Sequence, residues 1–258
     1  MGGSTPSTVA RLGLVAAILA VLPGCAALGL RWPEGHGTAG THAAAPAPDA
    51  RERDKAVAAA ERAVAGNPGD PASRAALGRA YLAAGRPASA IGALGDAMAL
   101  GETTPATIVA LALAQVAVGQ QEAAVRLLDE WHDSVPQSDL GLALALAGEP
   151  SRAVAVLTDA LRRGMGDARL RQNLAYAHAL NGRWRVAALI AAQDLPPARV
   201  QQRIEVWARL APPEAAGERV AHVLGTRLRA DPGYPPALAL APGARPSSAA
   251  ELAAAPSR

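Results

Sequence analysis

Apolar positions recur along residues 51–211 with the period of a helix, and glycine or proline interrupts the pattern at regular intervals. Aligned on those interruptions, four segments match: Ala76–Leu100, Leu111–Trp131, Leu140–Leu161 and Asn173–Ala192. Their central glycines, Gly85, Gly119, Gly148 and Gly182, lie 34, 29 and 34 residues apart. A glycine between two helical patterns ends the first helix cheaply, because positive φ carries no Cβ penalty there. Asn181–Gly182 is also a hairpin signature, but its flanks lack period-two alternation and predict a helix turn. The pattern therefore predicts antiparallel helix pairs repeated along the chain.

The residues around each glycine sharpen that expectation. Leu77, Gly78 and Tyr81 give a large-small-aromatic first helix, and Ala90, Leu94 and Ala97 give a small-large-small partner. Leu111, Ala112, Ala124 and Leu128 repeat the scheme before Pro136. With two spacings of 34, this resembles the tetratricopeptide (TPR) repeat, which implies an all-α, TPR-like α-solenoid. Ala56, Ala63 and Pro68 resemble the second helix of a partial repeat capping the amino-terminal end. Val200, Ile204, Trp207 and Leu210 fall at helical spacing and predict a capping helix after the last repeat. One short helix is expected in 214–225, and from Asp231 onward a proline- and glycine-rich tail that composition reads as extended or disordered.

The amino-terminal region has another character. Leu12 to Leu22 is apolar apart from Gly13, follows a single charge at Arg11, and is broken by Pro23 and Gly24 before Cys25. That is a signal-peptide pattern. The same hydropathy also fits an uncleaved anchor or a plain secreted protein. "LPGC" resembles the lipobox of bacterial lipoproteins, with Pro23 where that family has a small residue. The resemblance implies cleavage before Cys25 and lipidation of its sulfur and amine. Residues 1–24 are then a signal peptide, 25–50 a lipidated cysteine with a flexible tether, 51–211 the repeats with their cap, and 212–258 the short helix and tail.

Composition narrows the chemistry. Half of the residues are hydrophobic but aromatics make up 3% and phenylalanine is absent, so the core is built from Ala, Leu and Val. The chain carries +3; without Arg11 there remain 24 basic and 22 acidic residues, too even a balance to draw nucleic acid. One cysteine excludes an internal disulfide, and His36, His42, His132, His178 and His222 have no metal-ligand spacing. The acidic "DEWHD" around His132 reads as a solvated helix end. No nucleophile elbow, zinc-protease motif or phosphate loop occurs, so neither an enzyme nor a cofactor is expected.

A second resemblance lies at 171–197. Arg171, Gln172, Asn173, Leu174, the Gly182–Trp184 turn and "AQDLP" at 192–196 resemble the last repeat of the TadD-type lipoproteins of tight-adherence (Flp) pilus assembly. It implies an outer-membrane lipoprotein facing the periplasm, with protein partners in the pilus or secretion machinery and a membrane contact through its lipid. A general envelope scaffold, tied to peptidoglycan or division proteins, would use the same parts. An enzyme on a helical solenoid would need a site constellation that is missing here. TPR arrays bind partners along their first helices. In this register Arg79, Leu82, Val109, Leu113, Val116, Leu142, Arg169, Gln172, Tyr176 and Leu180 are expected to line the groove. Arg79, Arg169 and Tyr176 would orient an apolar partner segment. Arg162, Arg163, Arg169, Arg171, Arg183 and Arg185 form a basic cluster opposed in sequence only by Asp167.

Overall fold

Proline and glycine set the helix limits. The computed structural model describes residues 49–240, and every regular element among them is helical. The helices are α1 (Ala50–Gly66), α2 (Pro71–Ala83), α3 (Pro87–Ala99), α4 (Pro105–Ala117), α5 (Gln121–Glu130) and α6 (Gln137–Leu146). They continue as α7 (Pro150–Arg162), α8 (Ala168–Leu180), α9 (Trp184–Ala191), α10 (Pro197–Leu210) and α11 (Ala216–Val223), with a 3-10 turn at Pro213–Ala215. Proline begins five of these helices and the 3-10 turn, where its missing N–H leaves no bond unmade. Each helix pair is joined by the same turn. Gly85, Gly119, Gly148 and Gly182 take φ of 76°, 84°, 96° and 72°. The following N–H then closes on a carbonyl five residues back: Arg86 to Tyr81, Gln120 to Gln115, Glu149 to Leu144 and Arg183 to His178, at 2.8–2.9 Å.

The pairs α2/α3, α4/α5, α6/α7 and α8/α9 stack in chain order, with α2, α4, α6 and α8 in one row, as in an α-solenoid. Two of these first helices are covered on every side. In α4 nine of thirteen residues are buried, and in α6 eight of ten. A helix enclosed all round must be packed beyond its own pair. The covering element is α11, which turns back after α10 and lies on α4 and α6. Gly217 permits the approach, because a Cβ there would sit 3.0 Å from the Ala117 carbonyl oxygen. By contrast α7 buries only Ala153, Leu157 and Ala160. No described helix is long and apolar enough to cross a membrane.

At the carboxyl end of the stack α10 packs on α8 and α9. Its Trp207 is fully buried, with its ring centroid 5.3 Å from that of Tyr176. The chain beyond α11 departs from the tail expected by composition. Residues 225–240 carry no helix, but they run back over α1, α2 and α3 and are bonded there along their length.

Candidate functional site

The expected groove is present as an inner face but is not open. Leu82, Val109, Leu113, Val116, Leu142, Gln172 and Tyr176 are all buried, and Leu180 is half-buried. Arg79 and Arg169 are half-buried as well. Burial lowers the Arg79 guanidinium from its usual value, with Glu102 opposing. Arg169 is bound to Asp139 of α6, whose side chain is 2% exposed. Burial raises that carboxyl, and the Arg169 charge only partly offsets it. Tyr176, cast as an orienting group at the groove, is a core residue against Trp207 instead. Burial drives its hydroxyl pKa upward, with the nearby Arg219 acting the other way.

The residues that carry the TadD likeness form one bonded set inside the last repeat. Arg171 binds Asp194 with Nε at 3.1 Å and also donates to the Gly166 carbonyl. The Gln172 amide donates to Asp194 at 3.1 Å, and its oxygen accepts from Arg203 of α10 at 3.0 Å. Asn173 donates to the Ser138 carbonyl and hydroxyl at 3.0 and 3.1 Å. Burial alone would raise the Asp194 carboxyl, but Arg171 and Gln172 hold it below the usual carboxylate range. The basic cluster shrinks accordingly. Arg163 is paired with Asp159, Arg169 with Asp139 and Arg171 with Asp194, acids brought in by the fold. Arg162, Arg183 and Arg185 remain exposed. His132 bonds the Asp129 carbonyl at 2.8 Å at an exposed helix end, and no described group of three acids, histidines or cysteines is placed to hold a metal. Cys25 lies outside the described residues.

The most elaborate polar site was not foreseen. It lies where residues 225–240 cross the first helix pair. Helix α3 has no side-chain cap of its own at Arg86. Asp231 supplies one from far along the chain, accepting from the Ser89 N–H at 2.8 Å and its hydroxyl at 2.5 Å, with Arg86 Nε 3.7 Å away. Burial would raise this carboxyl; the bonds from Ser89 and Gly233 and the Arg86 charge outweigh that and lower it. Three residues on, Tyr234 stands edge-on to Tyr81 at 6.3 Å between centroids. Gly92 makes room, since a Cβ there would lie 2.5 Å from that of Tyr234.

Beneath the ring lies an enclosed ion pair. Arg74 and Asp96 meet at 3.1 Å with side chains 1% and 0% exposed. Arg74 donates to the Pro68 carbonyl at 2.8 Å, the Tyr234 hydroxyl at 2.9 Å and the Leu238 carbonyl at 2.6 Å. Asp96 accepts the Leu240 N–H at 2.8 Å. Together they bind a carbonyl and an N–H two residues apart at the end of a turn, in which the Leu238 N–H donates to the Pro235 carbonyl at 2.9 Å. Helix α1 completes the seat: Arg53 donates to the Thr226 hydroxyl and Gly225 carbonyl at 3.0 and 2.7 Å, and Asp54 accepts from Arg229 at 2.8 and 3.1 Å. "DPGYPP" was the only local signal, and it reads as a loop until its distant partners are known. No known family model, curated protein or solved structure matches the chain.

Proposed function

We infer that the chain is a non-enzymatic scaffold of the TPR type, held at the bacterial cell envelope through a lipid on Cys25 and serving tight-adherence pilus assembly. The scaffold reading rests on a packing unit that recurs four times. Gly78, Ala112, Gly141 and Ala175 each stand seven residues before a turn glycine and sixteen before Leu94, Leu128, Leu157 and Ala191. All eight residues are buried. At Gly78 and Gly141 any Cβ would clash with Leu94 and Leu157. A small residue against leucine in the first three pairs, and against Ala191 in the last, at a fixed offset lets helix hairpins nest closely along a stack.

The pilus assignment has its support in the sequence likeness at 171–197 together with the lipobox likeness at Cys25. The likeness falls on Arg171, Gln172, Asn173 and Asp194, which bond the last repeat within itself, to α6 through Ser138 and to its cap through Arg203, so it bears on scaffold type more than on a partner. Deletion of the gene is expected to abolish surface pili while leaving cell shape and growth normal. The wild-type chain should restore them and Cys25→Ala should not. Normal piliation with defective division or envelope integrity would overturn the pilus reading in favour of a general envelope scaffold. Mass spectrometry of the mature amino terminus tests the anchor separately: an unmodified Cys25 thiol rules it out.

A further inference from the structure

We propose that the surface of α1, α2 and α3 beneath residues 226–240 is a peptide-binding site for a non-helical, turn-bearing segment of a partner protein, one bearing an aspartate and, three residues on, an aromatic ring. The chain's own segment is then a resident competitor that the partner displaces.

The asymmetry of burial carries the argument. Arg74, Tyr81, Ser89 and Asp96 of the seat are all buried. Residues 225–240 are each exposed or half-exposed as whole residues, although the anchoring Asp231 side chain is only 7% exposed. A core element would be enclosed in its turn, whereas a seated ligand is held on one side and wet on the other. Clefts of about 430 and 450 Å³ flank the segment, one beside Arg53 and Arg227, the other beside Glu61 and Pro232. The attachment is also of the kind that reads peptides. The Arg74–Asp96 pair binds main-chain atoms of the Pro235–Leu240 turn, which asks nothing of the side chains there, while the α3 amino terminus and the Gly92 recess select a carboxylate and a ring. Gly225, at φ 61°, is the joint at which the segment leaves α11.

The inference rests on the scaffold reading but not on the pilus assignment, and its test needs neither a lipid nor a pilus. The probe is a fluorescent synthetic peptide of residues 226–240. The receptors are the full chain and its Asp231→Ala/Tyr234→Ala variant, compared by anisotropy. The tethered segment enjoys a high effective concentration, so the variant should bind the peptide at least about tenfold more tightly than the unaltered chain. Replacing the same Asp and Tyr in the peptide should weaken capture by roughly tenfold or more. Adding Gly92→Ala to the variant should block the ring and abolish capture while leaving helix content unchanged.

Equal binding by both receptors, indifference to the peptide's Asp and Tyr, or loss of helicity in the variant would overturn the proposal and make the segment a fixed part of the core. Hydrogen exchange on the unaltered chain gives a reading with no folding risk. Excess peptide should accelerate exchange at the Arg229 and Leu240 amides but not within α2 and α3, and protection that stays constant would equally refute exchangeability. Sedimentation should show a monomer at all concentrations. A dimer that forms only with Asp231 and Tyr234 intact would assign the site to a second copy rather than to a partner.

Discussion

The two ends of the helical stack solve one problem with the same residue. Eleven residues before the turn glycine stands Arg74 in the first pair and Arg171 in the last, while the interior pairs have Ile108 and Gln137 there. Each arginine binds an aspartate at the end of its partner helix, Asp96 or Asp194. Each pair reaches an element outside the repeats: residues 234–240 at the first end, and α10 through Gln172 and Arg203 at the last. Their environments differ sharply, with side chains 1% and 0% exposed in the first and 25% and 11% in the last. Interior pairs bury apolar residues against neighbours on both sides. End pairs have only one neighbouring repeat, and a charged network lets an irregular segment stand in for the other at the first end and a capping helix at the last.

Breaking the enclosed pair should have the largest effect. Arg74→Met leaves Asp96 charged without its main partner, and losing one member of a buried pair costs about 3–5 kcal/mol. The urea midpoint followed by circular dichroism should fall accordingly. Arg74→Met/Asp96→Leu should recover most of the loss, because removing both charges removes the stranded one. If the single variant is as stable as the parent, the first end is not held by this pair.

Whether the ends differ, rather than the repeats themselves, is checked within the repeats. Gly78→Ala and Gly141→Ala place a methyl against Leu94 and Leu157, and overpacking of this kind costs about 1–3 kcal/mol. The two should cost nearly the same, since the local packing is alike. At the exposed end, Arg171→Ala removes bonds to Asp194 and Gly166 that solvent partly replaces, and a loss near 1.5 kcal/mol is expected. A loss as large as that of Arg74→Met would erase the proposed difference between the ends.

The smallest effect is one of pH. Seated Asp231 titrates below its ordinary value, so its contribution is complete above about pH 4 and is lost as pH falls through the seated value. Below that point the Ser89, Leu240 and Arg229 amides should exchange faster than those of α8, and Asp231→Asn should flatten this dependence.

The helix pairs were legible because their signals are local. A glycine turn, a proline start and a small residue opposite a large one all act within one hairpin, and Leu77, Gly78, Leu94, Ala124, Leu128 and Trp207 lie buried where periodicity put them. The covering of the inner face was also written in the sequence, though in another form. "TIVALALAQVA" and "LGLALALA" are apolar on all sides, which a helix facing an open groove would not be. The seated segment was not legible. Its composition is that of a loop, and its partners Ser89, Arg74 and Asp54 stand 142 to 175 residues away. The acids that neutralise Arg169 and Arg171 stand 30 and 23 residues away, out of reach of a local reading, whereas Asp159 stands only one helical turn from Arg163.

A stack of repeats ordinarily unravels from either end, since each unit leans only on its neighbours. The bonds between α1 and residues 225–229 tie the start of this stack to chain that has already passed its far end. Fraying at the first helix must therefore also release the clasp, and the clasp must close a span of more than 170 residues before it forms. Closing so long a loop is slow, though doubling its length adds only about 0.6 kcal/mol of entropic cost. The array should fold hairpin by hairpin and then lock in a late step, unfolding afterwards as one cooperative unit and not as a row of separable hairpins.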